Sequence, residues 1–440
     1  MNQNLCKLAA RQIASIACSF PVGAVSRVNA STIELSGFPN PLRLGDRVEI
    51  LANGTPSWRA EIVSVDQKTA TALVENGAQG ISVGAAARLC PAVAFSPDSH
   101  WLGRVIDPDG RPLDGHPLLP GENTAFSHAP PPAHNRKRLG DRLETGLAVF
   151  NTLLPLVRGQ RVGLFAGSGV GKSTLLADFA KGVTADVVVI ALVGERGREL
   201  RYFLDDVLGQ QGLERSVVIA ATSDRAPQTR KQCAERAMIV AEFFRDQGLH
   251  VLLLIDSITR YCEAHREIAV AGGEQANLRG FPASTASMIA QLCERAGPGI
   301  LGSGDITAVF SVLVAGSDME EPIADMLRGV LDGHVVLDRE IAQSGRFPAV
   351  DVPRSVSRAL PDAATQIENK LISDAREQLG TYDRAALMIK AGLYEAGSDS
   401  AIDQAIANRP ALLSLITTKD QRGITGHFAL LRQALKPARQ

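Results

Sequence analysis

Hydrophobic positions form three successive patterns along this chain. From about residue 21 to 95, short β-type runs alternate with turns rich in Gly, Asn and Pro, which predicts a small β-barrel. From 146 to 360, apolar β-branched runs without strict alternation are separated by helical stretches, a pattern typical of a parallel sheet covered on both faces. From 361 to 440 the sequence favours helices, which indicates a helical C-terminal domain.

The predicted elements are bounded by turn residues. Barrel strands are expected at 24–28, 32–35, 46–51, 60–65 and 71–75, and strands of the parallel sheet at 160–166, 187–193, 216–221, 250–255 and 306–315. Helices of the C-terminal domain are expected at 365–379, 383–391 and 400–407. Residues 96–145, which include Ala129-Pro-Pro-Pro-Ala133, are interpreted as a linker. The predicted fold class is α/β, with a nucleotide-binding core between a barrel and a helical domain.

The first twenty residues contain an amphipathic pattern. Apolar side chains fall on one helical face, at Ala9, Ile13, Ile16, Ala17 and Phe20. Such a helix packs either on its own domain or on a partner protein or membrane surface, and the sequence leaves both interpretations open. The segment lacks the continuous apolar region of a secretory signal, and no later stretch predicts a membrane span.

The composition of the chain indicates which kinds of partner are disfavoured and which cellular compartment is expected. A formal net charge of -1 and 5% aromatic residues disfavour RNA or DNA as the main partner. The cysteines are scattered without C-x-x-C spacing, as expected of core residues in a reduced cytosolic protein; they are Cys6, Cys18, Cys90, Cys233, Cys262 and Cys293. We therefore expect a cytoplasmic protein, with at most peripheral membrane association.

A phosphate-binding loop, Ala166-Gly-Ser-Gly-Val-Gly-Lys-Ser173, lies between a predicted strand and a predicted helix. Its glycines let backbone N–H groups surround phosphate oxygens, Lys172 reaches the β- and γ-phosphates, and Ser173 offers a hydroxyl to Mg2+. Ala166 replaces the usual first glycine, which is tolerable at a strand end. The predicted cofactors are ATP and Mg2+, and the predicted nucleotide-binding residues are Gly167, Ser168, Gly169, Val170, Gly171, Lys172, Ser173 and Thr174.

Two carboxylates follow predicted strands. Asp256 ends the apolar run 251–255, so it should emerge beside the P-loop strand as the second Mg2+ contact, although an aspartate there could also cap the next helix. Glu195, in Val193-Gly-Glu-Arg-Gly-Arg198, also ends a predicted strand and could polarise the attacking water. Spacing alone equally allows Glu195 to be a solvated surface residue.

Two motifs resemble the rotary ATPases and the related type III secretion ATPases. Gly194-Glu-Arg196 is similar to the catalytic-subunit motif in which the Glu activates water and the Arg, here Arg196, lies nearby. Pro348-Ala-Val-Asp-Val-Pro-Arg-Ser-Val-Ser-Arg358 matches the P-[SAP]-[LIV]-[DNH]-x-x-x-S-x-S signature followed by Arg. The resemblance implies a RecA-like core with Lys172, Glu195, Arg196, Asp256 and Arg358 as catalytic residues. Arg358 would be an arginine finger for a neighbouring subunit, or else a buried ion-pair partner.

Seven further segments resemble the secretion branch, and most closely the flagellar export ATPases. They are 164–174, 194–201, 254–260, 279–284, 293–297, 321–334 and 392–399, and the resemblance covers about residues 20 to 415. Two departures from the family pattern leave details open. Pro353-Arg354 leaves the loop before Ser355 open. Ala283 and Thr285-Ala286 replace bulkier residues in a loop that faces a central pore in relatives, which leaves its contact with transported protein or a central stalk open.

The resemblance implies a ring of identical subunits, expected to be a hexamer, that hydrolyses ATP to energise flagellar protein export. Its expected partners are export-apparatus proteins, a regulator on the N-terminal helix, a central stalk, and exported proteins or their chaperones. An ATPase of virulence-type secretion and a catalytic subunit of a proton-translocating ATP synthase remain alternatives. A Rho-like RNA translocase is disfavoured by the balanced charge and the low aromatic content.

Overall fold

The computed structural model describes residues 19–52, 55–91, 95–121, 129–314 and 319–436. The predicted amphipathic helix of residues 1–20 lies outside these residues, apart from its last two positions. The chain forms two compact units. The first contains the N-terminal strands together with Arg225–Gln228 and Ala264–Ala283, and the second contains the central sheet and the C-terminal helices.

The first unit is built on a closed barrel with strand order β1-β2-β5-β4-β3-β6. Alternating side chains fill its interior, so that Val48 and Ile50 are fully buried while Glu49 between them points outward and pairs with Arg88. The strands are β1 (Val22–Val28), β2 (Thr32–Ser36), β3 (Arg47–Ala52), β4 (Thr55–Val65), β5 (Thr69–Val74) and β6 (Ala86–Leu89). The predicted barrel is confirmed, although its four-residue closing strand β6 carries too short a pattern to be recognised.

The second unit is organised around a nine-stranded sheet with order β17-β16-β8-β15-β11-β9-β10-β7, to which β14 adds beside β15. Its central strands are parallel and nearly all of their residues are buried. The strands are β7 (Val105–Ile106), β8 (Arg161–Ala166), β9 (Val187–Glu195), β10 (Ser216–Thr222), β11 (His250–Asp256), β14 (Gly297–Pro298), β15 (Asp305–Leu313), β16 (Gly333–Leu337) and β17 (Val350–Ser357), while the hairpin β12 (Ala276–Leu278) and β13 (Phe281–Pro282) belongs to the first unit.

The strand order corrects one expectation. Asp256 does not lie directly beside the P-loop strand, because β15 is inserted between β8 and β11. Strand order is a long-range property, which periodicity along the chain does not encode. Residues 105–106, within the segment interpreted as a linker, pair with β10 at the sheet edge, and β16 and β17 form the opposite edge. The domain boundaries themselves remain predictions.

Helices cover the sheet and form the C-terminal domain. Predicted helices 365–379 and 383–391 are one continuous helix that runs through Gly380. Thr365 and Glu368 close a capping box at its start. The helices are α1 (Ala148–Asn151), α2 (Lys172–Gly182), α3 (Gly197–Tyr202), α4 (Gly209–Glu214), α5 (Pro227–Asp246), α6 (Ile258–Ala271), α7 (Ser284–Arg295), α8 (Pro322–Val330), α9 (Arg339–Gln343), α10 (Gln366–Lys390), α11 (Ser400–Thr417) and α12 (Gly423–Ala434), with a π-helical turn at Phe203–Leu208. Among the described residues, no helix is long and apolar enough to cross a membrane.

Candidate active site

The P-loop connects the buried strand β8 to the start of α2. Gly169 and Gly171 have φ angles of +77° and +85°, a left-handed conformation that favours glycine. Between them, the Val170 side chain is buried in the hydrophobic core and anchors the loop from beneath. Ala166 is the last residue of β8 and pairs with strands on both sides, so the missing first glycine leaves the strand end intact.

Helix α2 begins at Lys172 without a side-chain cap, so its first backbone N–H groups are available for phosphate oxygens. Ser168, Ser173 and Thr174 are exposed on this loop and first turn. The loop therefore offers backbone donors, hydroxyl groups and one lysine at a single helix N-terminus, as the sequence predicted.

Three groups meet beside the P-loop at the carboxyl end of the sheet. The Lys172 ammonium group donates to Oδ1 of Asp256, and Ser311 Oγ donates to the same oxygen at 2.7 Å. Asp256 is almost fully buried, and these two donors provide hydrogen bonds to its carboxylate oxygen inside the protein. The helix-cap alternative for Asp256 gains no support, because its carboxylate contacts Lys172 and Ser311.

Glu195 joins this cluster from the end of β9. Gly194, with a φ of +69°, interrupts the register with β10 and re-aims the chain just before Glu195. Glu195 Oε1 lies 3.9 Å from Lys172 Nζ, and its side chain is 22% exposed. Burial, followed by repulsion from Asp256, raises the pKa of Glu195 to about 7. The alternative of a solvated surface Glu does not fit this environment.

Arg196 and Arg358 are not part of the cluster within one chain. Arg196 is 69% exposed and pairs with Glu199 at 3.4 Å. Arg358 is exposed, and its guanidinium donates to the carbonyl oxygens of Leu331 and Arg328, both at 3.1 Å, at the C-terminal end of α8. Its observed partners are backbone carbonyls, so the alternative of a buried ion pair does not fit.

Sheet register shows how far Arg358 lies from the P-loop of its own chain. Leu337 of β16 pairs with Ala166 at the carboxyl end of the sheet, where the P-loop begins. Gly333, at the other end of β16, pairs with Ser357. Four residues of strand, about 13 Å, therefore separate these two pairs, and Arg358 lies one residue beyond. Arg358 therefore lies at the amino end of the parallel strands, whereas Lys172 lies at their carboxyl end.

Sequence reasoning missed two residues at this site. Ser311 is a single hydroxyl in the apolar run 308–314, and a buried polar residue near a strand's carboxyl end was the available signal. Phe347 is 52% exposed and lies against the P-loop, since a Cβ atom added at Gly171 would come within 3.1 Å of its ring. No local pattern connects Phe347 to the loop.

The residues present fit a magnesium nucleotide. Mg2+ prefers oxygen ligands and is usually held by one or two carboxylates together with substrate phosphates. Asp256 and Ser173 are such oxygen donors, and they stand at the same end of the sheet as the open N-terminus of α2.

Comparison with known families gives the same class. Residues 146–357 match the ATP synthase alpha/beta family, nucleotide-binding domain, and residues 364–424 match the T3SS EscN ATPase C-terminal domain. Fold, site and family models together define a P-loop ATPase with a RecA-like core, which binds nucleotide.

Individual relatives show which family of P-loop ATPases the chain resembles. The chain is 41% identical to the flagellum-specific ATP synthase of Caulobacter vibrioides, over 94% of this chain and 96% of that protein. It is 38% identical to the type 3 secretion system ATPase of Xanthomonas euvesicatoria, over 92% of each. The assembled ATPase EscN from the enteropathogenic E. coli type III secretion system superposes with a TM-score of 0.86 at 35% identity, covering 94% of this chain and all of that one. The chain belongs to the family of flagellum-specific ATP synthases and type III secretion ATPases, which confirms the resemblance seen in its motifs.

Proposed function

We propose that this chain forms a homo-oligomeric ring, a hexamer, that hydrolyses ATP to energise flagellar type III protein export. The observation that carries the proposal is the position of Arg358. It lies at the amino end of the parallel strands, whereas Lys172 of the same chain lies at their carboxyl end. A site that contains both residues needs two subunits, and a ring provides one such site at every boundary. The similarity to an assembled secretion ATPase supports this arrangement.

In this proposal each residue of the cluster has one role. Residues 167–174 bind the phosphates through backbone N–H groups, with Lys172 on the β- and γ-phosphates. Ser173 and Asp256 would hold Mg2+, which would neutralise charge on the phosphate oxygens. Glu195 accepts a proton from the attacking water, with Arg196 nearby, and Arg358 of the next subunit stabilises charge developing on the γ-phosphoryl group.

We further propose that the adenine ring stacks on Phe347. An aromatic ring that is half exposed beside a phosphate-binding loop offers an apolar face within reach of a nucleotide base. Replacing Phe347 with alanine should raise KM for ATP about tenfold with a much smaller effect on kcat, because a lost stacking contact weakens ground-state binding. Steady-state kinetics would check this, and an unchanged KM for both ATP and GTP would contradict it. Leu301, an 88% exposed apolar residue in a distant loop, provides a matched alanine control.

The proposed partners follow the family. The similarity to EscN solved with its central stalk EscO supports a stalk in the ring. Export-apparatus proteins, a regulator at the N-terminal helix, and exported proteins or chaperones complete the proposed set, with a cytoplasmic location peripheral to the export apparatus. We also propose the predicted division into a barrel at 21–95, a linker at 96–145, a core at 146–360 and a helical domain at 361–440.

Activity measured against protein concentration tests the shared site. We expect ATPase activity per subunit to rise cooperatively with concentration, in step with oligomers sized in the presence of ATP, because each site requires a neighbour. The Glu195→Gln variant is the matched control, since it should assemble without hydrolysing. Activity per subunit that stays constant on dilution into the monomer range would contradict the proposal.

A virulence-type secretion ATPase is the alternative, because the chain is also similar to the Xanthomonas protein. Over similar shares of the chain, the identity to the Caulobacter flagellum-specific relative is 41% and that to the Xanthomonas protein is 38%, which favours the flagellar assignment. Co-isolation of the full chain from cells with flagellar components, and not with those of an injectisome, distinguishes the two.

A further inference from the structure

Ser311 is a fully buried hydroxyl residue at the centre of the site, and neither the motifs nor the proposed reaction gives it a role. It lies in β15, the strand inserted between the P-loop strand β8 and the Asp256 strand β11. Its flanking residues Phe310 and Val312 are apolar and buried. The Ser311 hydroxyl donates to Asp256 Oδ1 at 2.7 Å, a short bond of the strength expected between a hydroxyl group and a charged acceptor.

The end of β15 is fixed on both sides, which sets the position of this hydroxyl. On one side, the Val314 N–H donates to the Ala166 carbonyl oxygen at the start of the P-loop, at 3.1 Å. On the other, the Leu313 N–H donates to Thr259 Oγ1 at 2.9 Å, three residues after Asp256. Ser311 is therefore held relative to both elements that the nucleotide would contact.

Asp256 Oδ1 accepts hydrogen bonds from Lys172 and Ser311, and of these two donors Lys172 is also the proposed phosphate ligand. In the proposed function, Lys172 moves its ammonium group onto the phosphates of the bound nucleotide. Ser311 then remains on Oδ1. A buried carboxylate that loses its hydrogen-bond partners pays the full cost of desolvation and is free to rotate, so the second donor matters most after Lys172 has left.

We propose that Ser311 is a positioning residue for Asp256, whose hydroxyl keeps the carboxylate oriented toward the metal after Lys172 has transferred to the nucleotide. The inference rests on the proposed role of Asp256 at Mg2+. The inference predicts that loss of the Ser311 hydroxyl weakens nucleotide binding in the presence of Mg2+. Nucleotide binding in the absence of Mg2+ should change much less.

A matched pair of substitutions isolates the hydroxyl. Ser311→Thr and Ser311→Val both place a β-branched side chain of nearly the same shape in a packed strand, so the main difference between them is the hydroxyl. Binding of the fluorescent nucleotide mant-ADP to the full chain is measured across a Mg2+ titration and in EDTA, without turnover. We expect Ser311→Val and Ser311→Ala to raise the Mg2+ concentration at half-maximal binding about tenfold, and Ser311→Thr to restore it.

Two controls separate the possible failures. Thr307, in the same strand, is also fully buried, and its hydroxyl contacts His250 and Gly159 away from the site, so Thr307→Val should lower thermal stability without moving the Mg2+ midpoint. Asp256→Asn should move the midpoint strongly. If Asp256→Asn moves it and the folded Ser311→Val or Ser311→Ala variant does not, the role of Ser311 is overturned and the proposed site stands. If Asp256→Asn leaves it unchanged, the proposed metal site is overturned as well.

Discussion

Replacing Arg358 with alanine should lower kcat by about 10^3- to 10^5-fold, the range measured for arginine fingers, if Arg358 has the proposed finger role. The physical reason is that a guanidinium group neutralises charge that develops on the γ-phosphoryl group only in the transition state. The substitution should leave the monomer fold nearly unchanged, because the Arg358 side chain is exposed and its guanidinium group donates to two backbone carbonyls at the end of α8. Steady-state ATPase assays on assembled protein, with thermal melting in parallel, check both parts.

Mixed rings test whether Arg358 acts on a neighbour. Lys172→Ala subunits keep an intact finger, and Arg358→Ala subunits keep an intact P-loop. In rings assembled at random from equal amounts, about one quarter of the boundaries combine an intact P-loop with an intact finger, so mixing two inactive proteins should restore activity. Arg354→Ala, an exposed arginine of the same strand, is the matched control that should retain activity. Mixtures that stay inactive would place Arg358 outside the neighbour's site.

Replacing Glu195 with glutamine should lower kcat by about 10^2- to 10^4-fold, whereas ATP binding and assembly should persist. Glutamine keeps the shape of the side chain and cannot accept the proton of the attacking water. Single-turnover hydrolysis with radiolabelled ATP, alongside equilibrium binding, separates loss of chemistry from loss of binding.

The pH profile gives a second signature of Glu195. Burial and the nearby Asp256 charge raise its pKa to about 7, so the base is protonated below that pH and ionised above it. In the wild type, kcat/KM should therefore rise with pH through about 7, and the residual activity of Glu195→Gln should lack this step. Glu199 raises the pKa of Glu195, so Glu199→Gln should move the step to lower pH without removing it. A step at the same pH in Glu195→Gln would mean that another group is the base.

The amino-acid sequence by itself determined the local parts of this protein. The P-loop is local because a buried strand, left-handed glycines and a helix start follow one another within about a dozen residues, and each leaves its own pattern. The barrel and sheet strands were also predictable, since alternation and continuous apolar runs record which faces are buried. Glu195 and Asp256 could be proposed as site residues because each ends such a run.

Only the tertiary structure decided which of these parts meet. Strand order depends on pairing between distant segments, so the insertion of β15 between β8 and β11, and with it the contact of Ser311 with Asp256, leaves no mark in the local pattern. The same holds for Phe347 against the P-loop. The antiparallel pairing of β17 with β16 carries Arg358 to the amino end of the sheet, away from Lys172 at the carboxyl end. That reversal of direction is the physical reason why we propose that a site containing both residues is shared between subunits.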